Sequence, residues 1–296
     1  MILAATAEGF HDVDGRDTAL EGHRVDALSK DAWGLYALAD GRSVWRRVGD
    51  RWVQVAEVEG PPGRCLLATE DGLFVGTAEA GLLLFEDGVL VPVKGFEQVE
   101  GRDGWYTPWG GPPDTRSMAR DGAGRLYANV HVGGIPRSTD GGETWEPTID
   151  VDADVHQVVA HPSEPDVVLA ACAPGLALSR DGGDTWEIDR DGLHGPYCRA
   201  AAVAADHLLV SASTGPFTDR AAVYRRPMEA RGPFERCTEG LPEWFPSNVD
   251  SHCLVADGTT VALGTAEGEV FRSTDAGASW ERVAKELPAV QAVVLD

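Results

Sequence analysis

The chain has 296 residues, 43% of them hydrophobic, and a formal net charge of −23. That charge excludes nonspecific nucleic-acid binding, because neutralising phosphates requires a basic face. No run approaches the roughly 20 apolar residues of a membrane-spanning helix, so no membrane partner is expected. Among the 25 basic residues only Lys30, Lys94 and Lys285 are lysines. This Arg-dominated, acidic composition fits either a salt-rich cytoplasm that screens the self-repulsion or a high-GC genome. Met1–Ala5 lacks the charged n-region and longer apolar run of a signal peptide. Cys65, Cys172, Cys198, Cys237 and Cys253 form no C-x-x-C pair, and their odd number argues for a reducing cytoplasm without a disulfide framework.

In chain order, short runs of Val, Ile, Leu and Ala alternate with Gly- and Asp-rich turns, which is strand patterning, and no helix is expected. Residues 2–9 read as the second strand of a unit, since Thr6-Ala7-Glu8-Gly9 recurs as Thr77-Ala78-Glu79 with Gly81 and as Thr265-Ala266-Glu267-Gly268. Units follow at 25–58, 63–94, 115–149, 154–189, 198–237 and 250–284. After Pro288 a single strand, 290–295, remains. The clearest signal is the phrase S-x-D-x-G-x-[ST]-W, found at 138–145, 179–186 and 273–280. Its first two aspartates lie 41 residues apart and the next gap is 94, close to two periods with one copy lost from unit 198–237. A period in the forties with turn chemistry inside each unit marks a repeat architecture.

The phrase resembles the Asp-box (BNR) repeat of sialidases, sortilin-type receptors and photosystem II assembly propellers. The resemblance implies one all-β domain over residues 1–296: a seven-bladed β-propeller, with six blades as the alternative, built of four-stranded antiparallel blades. The C-terminal strand would pair into the N-terminal blade and close the ring, which removes exposed sheet edges. In that family the phrase is a tight turn between third and fourth strands, on the face away from the ligand mouth. Its Asp accepts backbone N–H bonds, its Gly supplies a positive φ and its Trp packs between sheets. Asp140, Asp181 and Asp275 are accordingly structural.

A propeller's first strands line its channel, and here they are expected to start near residues 25, 64, 115, 155, 199, 251 and 290. Aligning those starts gives a column of Asp26, Arg64, Arg116, His156, Arg199, His252 and Gln291. Five of the seven are Arg or His, far more than the composition would place there. Arg forks suit carboxylate, phosphate or sulfate, so Arg64, Arg116 and Arg199 are candidate binders of a small anion at the axial mouth. Their alternative role is to pair with nearby acids and plug the channel. Second-strand ends add Glu8, Glu79, Glu267 and His131. His131, His156 and His252, with a carboxylate, are candidate ligands of a divalent metal. The remaining histidines fall mostly in turns. Two long aromatic connections, 101–111 and 242–248, place Trp105, Tyr106 and Trp244 on the mouth face, with Tyr197 near Arg199. Long loops in compact folds tend to be functional, and an aromatic rim over a polar floor suits a small organic ligand.

The expected function is a small-anion site, with His156 or His252 as general acid or base and the three arginines stabilising negative charge, in a hydrolase or lyase. Sialidase chemistry is disfavoured, because the family's early Arg-Ile-Pro element has no counterpart and no Tyr–Glu couple can be placed. The alternative is a non-catalytic propeller that docks a protein partner or serves as an assembly scaffold; fold alone does not separate the two.

Overall fold

A computed structural model describes residues 1–15 and 17–296. Its strands form seven four-stranded antiparallel sheets, and the only helical segments among the described residues are four single 3-10 turns. None is long and apolar enough to cross a membrane. Six sheets take their strands in sequence order, and in the remaining one the order is Val290–Leu295, Ile2–Thr6, Gly9–Asp12, Thr18–Ala19. The C-terminal strand therefore lies innermost in blade 1, with Ile2 opposite Leu295 and Thr6 opposite Val290.

The first strands of consecutive blades touch one another round the full circle, from Val25–Asp31 through to Val290–Leu295 and back. Seven blades are thus closed by one antiparallel pairing between the chain ends. The expected strand starts agree with those observed to within two residues, except in blade 7. There the first strand is Leu254–Asp257, and Ser251 and His252 lie in a turn ahead of it. His252 has φ 65, outside the extended region.

Burial follows the layering. The second strands Leu126–His131 and Val168–Cys172 are buried at every residue, because neighbouring blades cover both of their faces. The core is a chain of inter-blade clusters. Phe74, Phe96, Leu126 and Trp145 join blades 3 and 4, and Leu209, Leu263 and Trp280 join blades 6 and 7. All five cysteines are buried free thiols.

The three phrases fold alike between third and fourth strands. In blade 4, Asp140 Oδ1 accepts the Thr144 N–H at 2.9 Å and Oδ2 accepts the Thr144 hydroxyl. Ser138 Oγ donates to Asp140 and accepts the Gly142 N–H. Gly142 has φ 99, a conformation that costs glycine little. Trp145 donates Nε1–H to the Gly142 carbonyl and meets Phe96 edge-on at 5.2 Å. The same bonds recur around Asp181 and Asp275.

Candidate functional site at the axial mouth

At the channel mouth the first strands share a device that the linear pattern does not display. The pairing of first and second strands slips at Asp26, Arg64, Arg116, His156 and Gln291, and over Arg199–Ala200 in blade 6. A bulge leaves its extra residue unpaired and re-aims the side chain. Six column residues are therefore bulge residues, and His252 holds the seventh place through its positive φ. Their cavity, of about 360 Å³, is lined among others by Asp26, Arg64, Asp114, Arg116, Asp250 and His252. An adjoining groove of about 590 Å³ holds Arg199, Asp250 and Phe217, the last 92% exposed.

Three blades carry an acid two residues ahead of the column residue, as Asp114-Thr115-Arg116, Asp154-Val155-His156 and Asp250-Ser251-His252. Each acid reaches back to the preceding blade. Asp114 lies 3.1 Å from Arg64 Nε, Asp154 lies 2.8 Å from His131 Nε2, and Asp250 accepts from Arg199 Nε at 2.7 Å. Besides His252, whose Nε2 meets the Arg116 carbonyl, two of the column's Arg and His receive no such acid. Opposite Arg116 the blade-5 acid turns to His131 instead, and opposite His156 blade 6 supplies Tyr197, whose ring centroid is 4.6 Å away. Those gaps coincide with buried polar atoms that have no partner, Arg116 Nη1 and His156 Nε2. The pairing role foreseen for the arginines thus applies to Arg64 and Arg199 but not to Arg116, which forms no ion pair among the described residues. Burial, with the Arg199 charge beside it, pushes the Arg116 guanidinium below its ordinary value, yet an arginine stays charged at neutral pH.

The throat is crossed by the blade-7 turn. Ser251 Oγ lies 3.0 Å from the His156 carbonyl and 3.1 Å from that of Arg199. His252 N–H donates to Gln157 Oε1, and His252 Nε2 lies 3.1 Å from the Arg116 carbonyl. A carbonyl only accepts, so Nε2 carries the proton and Nδ1 keeps its lone pair. Burial pushes the His252 imidazole down, which keeps it neutral at pH 7.

His156 sits behind this layer, fully buried, with Nδ1 2.5 Å from the Cys198 carbonyl. It does not line the cavity. It groups instead with His131 and Asp154, whose ligand-type atoms all lie within 4.8 Å of one another; His252 stands outside that group. Asp154 is the residue that sequence reading left out of the candidate set. The visible signal was its place two residues before His156, the spacing that recurs in Asp114-Thr115-Arg116 and Asp250-Ser251-His252.

The other candidates lie further out. Glu8, Glu79 and Glu267 are exposed in turns after second strands and line neither space, and Glu267 accepts from Ser247 Oγ at 2.7 Å. Trp105 is half-buried beside Phe96 under the Arg102 guanidinium, so it covers a blade junction. Trp244 does likewise between His194 and Arg236. The Tyr106 hydroxyl reaches Asp152 at 3.2 Å. Tyr197 bridges the two layers, its ring on His156 and its hydroxyl 3.3 Å from Arg199 Nη1. Trp109, not singled out from sequence, stacks on His131 at 6.3 Å with 65% of its surface exposed.

The ring and its repeated turns define the class: a seven-bladed propeller carrying Asp-box repeats. The family model of the BNR/Asp-box repeat matches residues 137–147. No curated protein matches the chain in sequence. Solved structures share the fold at low identity. An ancestral GH74 enzyme superposes with a TM-score of 0.65 at 17% identity over 97% of this chain, which spans only 40% of that enzyme. A putative 6-phosphogluconolactonase from Bacteroides uniformis gives 0.66 at 12% identity, covering 99% of this chain and 98% of that one. YCF48 from Cyanidioschyzon merolae gives 0.60 at 15%, over 83% of this chain and 81% of its own. At such identities the likeness concerns architecture alone.

Proposed function

We propose that the axial mouth binds a small anionic organic ligand, with the Arg116 guanidinium taking its carboxylate or phosphate group. One observation carries this reading: Arg116 is a cation in the cavity wall with a buried, unpartnered nitrogen and no acid assigned to it. Removing a charge from water without a partner costs several kcal/mol, and a ligand anion would return that energy as charge-assisted hydrogen bonds. The adjoining groove under Phe217 offers the ligand's apolar part a surface. His252 lines the same cavity, and its unprotonated Nδ1 suits a general base in a hydrolase or lyase reaction. Arg64 and Arg199, each held by an aspartate, set the polarity of the wall rather than grip the anion.

Calorimetric titration with a panel of small carboxylates and phosphate monoesters tests the reading. A hydrogen bond to a charged group is worth about 1.5–3 kcal/mol, so Arg116→Gln should weaken the best binder by roughly 10- to 100-fold while thermal stability holds or rises. A wild-type protein that binds none of the panel, or a variant that binds equally well, would remove the anion site and leave the docking scaffold as the reading.

A further inference from the structure

We propose that His131, Asp154 and His156 form a site for a divalent first-row transition metal of the zinc type, bound by two imidazole nitrogens and one carboxylate oxygen. Its ligands are distinct from the anion site, whose wall contains none of the three residues.

The lone pairs are set up for it. Because the Cys198 carbonyl fixes the proton of His156 on Nδ1, Nε2 is left with a lone pair, fully buried and without a hydrogen-bond partner. Facing it at 3.7 Å is Asp154 Oδ1, also buried and in contact with His131. Two electron-rich atoms turned toward each other inside a protein repel unless a cation joins them. His131 Nε2 lies 2.8 Å from the same oxygen, so the three ligand-type atoms converge and a metal ion would replace that ion-pair contact. The separations bracket the roughly 3.4 Å between tetrahedral ligands that share metal bonds of about 2.0–2.1 Å.

The surroundings have the form of a supporting layer. A backbone carbonyl on the far nitrogen of a ligating imidazole fixes its tautomer and orientation, and Cys198 provides it. Asp154 is held at the end of the 3-10 turn Val151–Ala153 with φ 47, and its carbonyl accepts the Ala173 N–H at 3.1 Å. Trp109 covers the His131 ring. Imidazole with carboxylate favours zinc, iron, cobalt or nickel over magnesium and calcium. Three protein ligands leave a coordination position open, and the Asp154 side chain, 23% exposed, gives a path to it. The nearby cations oppose binding unequally: Asp250 neutralises Arg199, whereas Arg116 keeps its charge.

The test is calorimetric titration of the chelator-dialysed protein with zinc chloride, alongside visible absorption on adding cobalt(II). Wild type should take up a single zinc ion, give the intense cobalt spectrum of a low-coordinate N/O site, and show no response to magnesium. Asp154→Asn and His131→Gln should each weaken zinc by about tenfold or more and abolish the cobalt spectrum. His156→Gln should do the same if it folds; should that buried substitution fail to fold, the partly exposed Asp154 variant decides. No saturable zinc binding in wild type, or unchanged binding in folded Asp154→Asn and His131→Gln, would overturn the assignment.

Discussion

The two faces of the propeller repeat in different ways. On the far face, three turns repeat both residues and bonds: Asp140, Asp181 and Asp275 each accept the same N–H and hydroxyl within their own turn. On the mouth face, position repeats but chemistry does not. Six bulges and one positive-φ residue set Gln, Asp, Arg, Arg, His, Arg and His at equivalent inner positions, and two of these keep buried atoms unpartnered. A repeat that closes on itself builds the scaffold, whereas the position that repeats with varied residues is where the proposed ligand would sit. Substitutions on the far face should therefore cost stability and spare binding, whereas Arg116→Gln at the mouth should do the reverse.

The largest expected effect breaks the far face. Trp280 is 7% exposed between blades 6 and 7 and donates to the Gly277 carbonyl. Removing a buried aromatic of this size costs about 3–5 kcal/mol, so Trp280→Ala should lower the urea midpoint sharply while anion affinity is unchanged under folding conditions. Trp186 makes the same bond to Gly183 but is only half-buried. Trp186→Ala should cost clearly less, and equal losses would show that the bond, not the burial, is what the phrase contributes.

A smaller effect is expected where the faces differ most, at the throat. Ser251 Oγ reaches two blade carbonyls, and one neutral hydrogen bond is worth about 1 kcal/mol. Ser251→Ala should lose about that much in urea unfolding. Hydrogen exchange at 250–253 should quicken, and anion binding should weaken with it, since Asp250 and His252 line the cavity. Unchanged exchange would mean that the turn is held by His252 and Gln157 alone.

What sequence made legible follows the same division. The phrase could be read because its chemistry is local: Ser138, Asp140, Gly142 and Thr144 bond within one turn. The seven units and the closing strand followed from its spacing and from the Thr-Ala-Glu-Gly echo at the end of second strands. The column of mouth residues was found by register, because the inner strands start at comparable points. What stayed hidden depends on distance between blades. Nothing in the order of residues says that Asp114 reaches Arg64, that Asp154 reaches His131, or that Ser251 crosses the axis to residues 95 and 52 positions away. Glu8, Glu79 and Glu267 show the converse, since the correct face was inferred but their turns carry the side chains out to solvent.

The smallest effect concerns the turns themselves and separates local satisfaction from burial. Hydrogen bonds from the hydroxyl and N–H of Thr144 hold the Asp140 carboxyl at about 2, and Thr185 and Ser279 do the same for Asp181 and Asp275. These folded-state values lie below the 3.8 of a free Asp. Each turn's contribution is therefore complete above about pH 4 and is lost as pH falls through about 2. Asp140→Asn should remove one such increment: asparagine still accepts the Thr144 N–H through its oxygen, but its amide nitrogen cannot accept the hydroxyl. Many other carboxylates titrate in this window, so the informative quantity is the difference in slope of stability against pH between variant and wild type from pH 4 to 2. Because these aspartates are exposed, that difference should be small and equal for Asp140 and Asp181. A variant with the wild-type slope would show that the turn is held by Ser138 Oγ and the glycines, with the carboxylate a bystander.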